Sequence, residues 1–373
     1  MSLFLFLLAY IILTSVLVYR TNIINCYRYK SKDNFFIFFT MGLLLLLNCL
    51  RSVETGNDTY SYKALFDYYS SQYFVDYSQA ALIWMDSYID IGFRLLNKIF
   101  TYFCSNYQIF ISIIACFIYF STIKFIKTYS DNVVISVVLF FLVFFHAYVN
   151  VLRQAIAISI ILLGFELLYE KKILKFILVV LLATTFHKTA IITLVLIPIV
   201  HMKKFSVNKG ILVILACIIL TYGGFVQLLI STVGYSGSYI SEENGISVYA
   251  SILLSFLVFF VMVFLKGKNN FDSLDEICNG DNLQSSFYIR IPIVHICISI
   301  MSLALPILYR FEYYFTIFYI VGLPYYLMNS KTYLSNKKIL TFFLIIIFAI
   351  YVGGILIFRP EWYSEFFYHF FWE

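Results

Sequence analysis

Apolar residues run along this chain in long stretches, and short polar clusters separate them. The stretches fall at roughly 2–19, 35–50, 107–123, 132–149, 154–169, 173–187, 189–201, 210–230, 247–265, 291–309, 312–328 and 339–358. Most approach a length of about 17–25 residues, which a helix needs to cross a bilayer. Apolar and polar positions do not alternate with the period of two that a membrane strand imposes. The pattern predicts an all-α polytopic membrane protein with about 12 transmembrane helices. One segment differs. In 91–104, "IGFRLLNKIFTYFC", Phe93, Leu96, Phe100 and Phe103 share one helical face, with Arg94 and Lys98 opposite. That amphipathic pattern places it along the membrane interface.

Composition strengthens this reading. The chain is 62% hydrophobic and 12% charged, whereas soluble domains average about 45–50% and about 25%. The first stretch, "MSLFLFLLAYIILTSVLVYR", has no basic leader and no small-x-small cleavage site, so it reads as an uncleaved span. The seven cysteines are scattered singly, without metal-ligand spacing, and most sit inside apolar runs as small hydrophobes. No metal and no cofactor are expected. Neither an internal repeat nor two equivalent halves can be seen.

Charge sets the orientation. Most of the 26 lysines and arginines lie in "RTNIINCYRYKSKDN", "KFIKTYSD", "EKKILK", "HMKKFSVNK", "KGKNN…YIR" and "KTYLSNKK". With twelve spans these loops share one side, which the positive-inside rule makes cytoplasmic. The net charge of +6 is accounted for by this bias, and no nucleic-acid partner is implied. Positions 1–373 then form a single transmembrane domain. Its external loop, 51–106, carries the interfacial helix, and its cytoplasmic loop, 266–290, is mixed in charge and shows no chemistry. Both termini face outside. If 91–104 crossed the bilayer, every later side would flip and the charge bias would reverse.

The remaining polar residues gather on the outer face, although the charge count used other loops. Arg51 and "ETGNDTYSY", with Asp58 and Tyr60, open the external loop. Asn150, Arg153 and Gln154 mark one external turn, His187 and Lys188 a second, and Arg310 a third. The two stretches that meet at His187 are short for a hydrocarbon core of about 30 Å. His187 is therefore expected below the outer surface, in a cavity open to that side. Asn150, Arg153 and Gln154 have i, i+3, i+4 spacing and share a helical face, with Asn150 a candidate cap. Arg153 in a first helical turn adds a guanidinium to an anion site made by free N–H groups. Plainer readings exist. They are snorkelling at Arg153, a satisfied interhelical histidine at His187, a local pair of Arg310 with Glu312, and turn chemistry at Asp58. Four sites on one face favour a shared role. The tyrosine-rich "DTYSYKALFDYYSSQYF" suits a glycan groove, since aromatic rings stack on sugar faces.

Arg51 followed by "GNDTYSYKALF", then "IDIGFRLLNKIF", "NVLRQAIAISIILL", "FHKTAIITL" and "YRFEYYF" before "GLP" resembles the EpsG-like, Wzy-type polysaccharide polymerases over roughly 51–328. Each motif alone is weak, and their order and common side carry the likeness. Asp90 departs from the glutamate common in that family, and its role stays open. The resemblance implies a GT-C-like bundle with an external cavity, in the bacterial cytoplasmic membrane. It implies a glycosyltransferase that moves a growing glycan from undecaprenyl diphosphate onto a new lipid-linked repeat unit at the outer face. A flippase and a chain-length regulator would be partners, beside the lipid-linked oligosaccharide and membrane lipid. Arg153, Arg310 and Arg51 are candidates to grip diphosphate, with Asn150, Gln154, Lys188 and Tyr60 also in the substrate-binding set. His187 and Asp58 compete as general base, an unperturbed imidazole titrating near about 6.5.

Three other functions are weighed. A flippase for lipid-linked oligosaccharide would spread its cations through the membrane's depth rather than gather them at one face. A glycan ligase shares the donor chemistry. A membrane acyltransferase would be expected to flank its histidine with an acid, which "HKTAIIT" lacks. The topology itself is testable. Cysteines introduced as Asp58→Cys, Lys188→Cys and Glu361→Cys should react with an impermeant reagent from outside the cell. Labelling of all three only from the cytoplasm would overturn the assigned orientation.

Overall fold

The computed structural model describes residues 2–20, 29–56, 58–70, 89–202, 207–224, 246–267, 283–330, 334–358 and 367–373. The end of the predicted 210–230 span, most of the 266–290 loop, the tyrosines after Ser70 in the first loop and Glu361 lie outside them. Among the described residues all regular structure is helical, apart from one isolated antiparallel bridge between Arg51 and Phe370. Among the described residues seven helices are long and apolar enough to cross a membrane. The shorter apolar helices are Ile173–Phe186, Lys188–His201, Asn208–Tyr222 and Ser286–Ser302. This is the architecture of a multi-pass membrane protein. The described residues divide into two compact units.

The first unit contains α1 (Ser2–Arg20), α2 (Tyr29–Leu50), α3 (Thr59–Ser70), α4 (Ile91–Phe103), α5 (Tyr107–Tyr129), α6 (Val133–Asn150), α7 (Leu152–Gly164), α8 (Glu166–Tyr169) and α9 (Ile173–Phe186). Helix α6, apolar on all sides, is its core and packs against α1, α2, α5 and α7. A helix apolar all round must be covered all round. Outer helices are apolar on two faces: in α1, Phe4, Leu7 and Ile11 are buried while Leu5, Phe6 and Leu13 stay exposed, as a lipid-facing surface requires. Between α5 and α6 the hydroxyls of Thr122 and Tyr148 lie 2.8 Å apart, a hydrogen bond inside an otherwise apolar contact. Helix α4 forms where the pattern predicts one, but of the predicted apolar face Phe93 alone is fully buried, Phe103 is 79% exposed, and Arg94 is half-buried. Phe93 and Asn97 are buried against α3 and α9, and Ile91, Leu95, Ile99 and Tyr102 are exposed.

The second unit contains α10 (Leu196–His201), α11 (Val207–Tyr222), α12 (Ile246–Gly267), α13 (Leu283–Ser302), a 3-10 helix (Pro306–Phe311), α14 (Tyr313–Thr316), α15 (Tyr319–Asn329) and most of α16 (Leu334–Phe358). Helix α13 is the hub, touching α10, α11, α12, the 3-10 helix, α14 and α15. The apolar stretch predicted to run to 309 stops being α-helical at Ser302, because Pro306 disfavours the α conformation at Leu305 (φ −140°, ψ 95°) and restarts the chain as a 3-10 helix. The stretch predicted at 312–328 divides into α14 and α15.

Two buried polar arrangements tie this unit to α13. Arg290 donates from Nη1 to the Ile199 carbonyl (2.5 Å) and from Nη2 to the Met202 carbonyl (2.8 Å), closing the open C-terminal carbonyls of α10. Glu312 accepts from Ser251 (2.6 Å) and Ser299 (2.7 Å), and its Oε2 lies 3.3 Å from His295 Nε2. His295 Nδ1 in turn meets the Tyr319 hydroxyl at 2.8 Å. One carboxyl group thus links α12, α13 and α15. Removing one partner of such a network leaves the others buried and unmatched, at a cost of about 3–5 kcal/mol. Glu312→Ala should therefore lower the melting temperature of the detergent-purified protein well below that of Glu312→Gln, whose amide oxygen still accepts from one serine while its NH2 can donate to the other hydroxyl. Equal melting of the two variants would show that the network does not hold this unit together.

Candidate functional site

The site grows from three chain breaks in the first unit. The first is the start of α4. Asp90 occupies its N-cap position, where aspartate ordinarily bonds free N–H groups of the first turn. Here the carbonyl of Asp90 accepts from Phe93 and Arg94 (both 3.1 Å), and the side chain makes no cap. It turns instead to Arg153, whose Nη1 donates to Oδ2 at 2.8 Å. The second break is the α6–α7 junction, where Val151 alone separates the helices and Arg153 falls in the first turn of α7. The third is the end of α9. His187 is its C-cap, extended at φ −155° and ψ 115°, and its Nδ1 lies 3.6 Å from the same Asp90 oxygen. The three side chains are largely buried, at 5% exposure for Asp90, 12% for His187 and 20% for Arg153.

Gly92 makes the approach of α4 to α9 possible. A Cβ there would stand 2.5 Å from Thr185 Oγ1 and 2.8 Å from the Thr185 carbonyl oxygen. Any larger residue would push α4 away and carry Asp90 from His187. On the other side, α3 packs on α4 and brings in Tyr62, which stacks edge-on against Phe93 at 5.4 Å. The Tyr62 phenol lies against the Arg153 guanidinium, and its hydroxyl donates to Asp58 Oδ2 at 3.4 Å. Burial, together with the Asp58 charge and against the pull of Arg153, pushes this phenol up to about 12. It remains a neutral donor beside the arginine.

The structure places the sequence-predicted residues unevenly. Arg153 and His187 meet on Asp90. Asp58, exposed at the start of α3, joins them through Tyr62. Lys188 is exposed at the head of the 3-10 helix Lys188–Val195, and Tyr60 is 75% exposed on α3. Arg310 belongs to the 3-10 helix of the second unit.

Three expectations are corrected or sharpened. Asn150 does not cap α7: it is the last residue of α6, its amide donates back to the His146 carbonyl (3.0 Å), and the N-cap is Val151. The near-continuity of the two helices leaves no extended residue at 150 to act as a cap. Gln154 is 2% exposed, inside the helix packing rather than on an open surface. Arg51 is 1% exposed and donates to the Val149 carbonyl, one residue before the α6–α7 junction ends α6. Its burial, which also pulls the guanidinium below its ordinary pKa, favours a positioning role over direct contact with a ligand. Gly56, at φ +101°, keeps room for it: a Cβ there would meet Arg51 Nη1 at 3.2 Å and Thr59 Oγ1 at 2.8 Å.

Two features were missed. The Asp90 side chain as the centre of the cluster had a signal, an acid standing immediately before an amphipathic helix and its Gly92, yet no spacing rule named its partners. The Glu312 network in the second unit had none, since its partners are scattered over three helices. Among the described residues no group of three or more His, Cys, Asp or Glu side chains is placed to hold a metal ion.

A carboxylate, an arginine and a histidine thus gather at helix ends within the first unit of a many-helix membrane protein. The EpsG family model matches residues 34–370, nearly the whole chain, and the protein belongs to the EpsG family. No curated protein and no solved structure matches it.

Proposed function

We propose that this protein is a glycosyltransferase that joins lipid-linked oligosaccharide repeat units into a surface polysaccharide. The observation that carries the reading is the Asp90–Arg153–His187 cluster, assembled from three distant parts of a chain in the EpsG family. The donor is a glycan on a polyprenyl diphosphate, undecaprenyl diphosphate in bacteria, and the site opens to the outer face of the cytoplasmic membrane.

In the reaction a hydroxyl of the acceptor repeat attacks the anomeric carbon of the donor glycan. A new glycosidic bond forms, the bond to the diphosphate oxygen breaks, and the hydroxyl proton passes to a base. The leaving diphosphate gains negative charge, which a fixed cation in a dry site stabilises far better than water would. Arg153 has five donors. One is spent on Asp90, which holds the guanidinium in place, and others remain for phosphate oxygens. Tyr62 adds a neutral phenol at the same point. Asp90, shared between Arg153 and His187, orients both. His187 takes the proton as a neutral imidazole. Asp58, on the other side of Tyr62, is the competing base. Lys188 adds positive charge for the diphosphate, Tyr60 offers a ring to sugar, and Arg51 supports the α6–α7 turn from behind.

The test is chain growth on purified lipid-linked repeat without nucleotide sugar. Arg153→Ala should lower the rate by about 10²–10³, the usual loss on removing one preorganised donor. If His187 is the base, the rate falls as pH drops through the imidazole range, because the protonated ring cannot accept, and His187→Ala loses about 10²–10⁴ while removing that pH limb. If Asp58→Asn, and not His187→Ala, produces the loss, the base is Asp58. Full chain growth by Arg153→Ala would contradict the diphosphate assignment.

A further inference from the structure

A second opening lies on the first unit, separate from the Asp90 cluster. It is a cavity of about 710 Å³ walled by 52–54, by one side of α3, by the start of α5, and by the segment 367–373. That segment is stitched to the chain beyond α2. Ser52 donates to the His369 carbonyl (2.8 Å), Phe371 to the Leu50 carbonyl (3.0 Å), and the Tyr368 hydroxyl to the Leu47 carbonyl (2.7 Å). Thr55 Oγ1 bonds both the carbonyl and the N–H of His369, at 3.1 and 3.0 Å. The wall is a built one, zipped along its length.

The lining mixes hydroxyl, amide and carboxylate groups with aromatic rings. Gln108 fixes its amide nitrogen on the Cys49 and Arg51 carbonyls, which leaves its carbonyl oxygen to accept. Phe370 stacks on Trp372 at 4.5 Å and 12°, and Phe371 meets the same indole at 4.9 Å. Trp372 and Phe371 remain 59% and 48% exposed. Lys63 pairs with Asp67, and His369 Nδ1 lies 3.4 Å from Glu373, so the lining sets the carboxylates of Glu54, Asp67 and Glu373 against a single lysine. A phosphate would meet no uncommitted cation in this lining. Rings held edge to face beside fixed acceptors and donors suit a ligand with apolar C–H faces and many hydroxyls, and the volume is that of a small-molecule site.

We infer that this groove is a saccharide-binding subsite for neutral sugars of the glycan, distinct from the diphosphate site. The identity of the sugar as part of a repeat unit rests on the polymerase reading. Helix α3 joins the two places, since Tyr62 faces Arg153 while Lys63 and Asp67 line the groove. A chain held there would keep its sugars on one side of α3 and its reacting end on the other.

The experiment uses the full-length protein in nanodiscs. The probe is lipid-free oligosaccharide released by mild acid from the host's own surface polysaccharide, with saturation-transfer NMR and titration as readouts. The wild type should bind it. Phe371→Ala, at an exposed ring of the lining, should weaken binding by at least about tenfold, as truncation of an aromatic anchor does, and Trp372→Ala, which removes the indole that backs Phe370 and Phe371 from outside the lining, should weaken it less. Glu54→Ala, which touches neither ring, should weaken it too. Inorganic phosphate should not compete. Absence of binding by the wild type, unchanged binding by the variants, or displacement by phosphate would each overturn the subsite. Chain growth is scored in the same nanodiscs. Growth without groove-dependent binding overturns the subsite alone. Groove-dependent binding without growth supports the subsite and contradicts the polymerase reading.

Discussion

The ion pair between Asp90 and Arg153 is the contact on which the candidate site depends. Two charges removed from water cost several kcal/mol each, and their attraction offsets this only with close geometry and further hydrogen bonds. Here the geometry is 2.8 Å, with His187 and Tyr62 completing the surroundings. The pair also fixes three helix ends at once. Helix α4 begins at Asp90, α7 begins just before Arg153, and α9 ends at His187. Two of these ends, those of α4 and α7, are N-termini with free N–H groups, and the third, that of α9, is a C-terminus with free carbonyls.

Around this pair the first unit is arranged to hold its parts still. Arg51 grips the α6–α7 junction through the Val149 carbonyl, and the strand-like contact of Arg51 with Phe370 fixes the same stretch from the other side. Gly92 lets α4 reach the end of α9, and Gly56 leaves room for the Arg51 guanidinium. These residues would act on chemistry through position alone, as supports of groups that touch a ligand. The second unit is organised differently, around α13, with its buried Glu312, His295 and Arg290 each bonded across helices.

Much of this architecture is legible in the sequence. Apolar run lengths disclosed the helices, because a membrane span is written in consecutive residues. The break at His187 was visible as a polar pair between two short runs, and Arg153 was visible at a helix start. What the sequence did not disclose is pairing. Asp90 and Arg153 are 63 positions apart, and no local spacing rule joins them. The fate of Asn150 and Arg51 was equally hidden. A turn of one residue and a bond to a distant carbonyl are tertiary facts: Asn150 ends α6 instead of capping α7, and Arg51 is bonded to the Val149 carbonyl.

The central claim is that Asp90 serves the reaction through Arg153. The direct measurement is a double-mutant cycle on chain growth with Asp90→Asn, Arg153→Gln and the two combined. If Asp90 works mainly by holding the guanidinium, the combined variant loses far less than the product of the two single losses, because with Arg153 gone only the contact with His187 is left for Asp90 to hold. Losses that multiply, each substitution slowing growth by its full factor in the presence of the other, would show that the two residues act independently and would contradict the account.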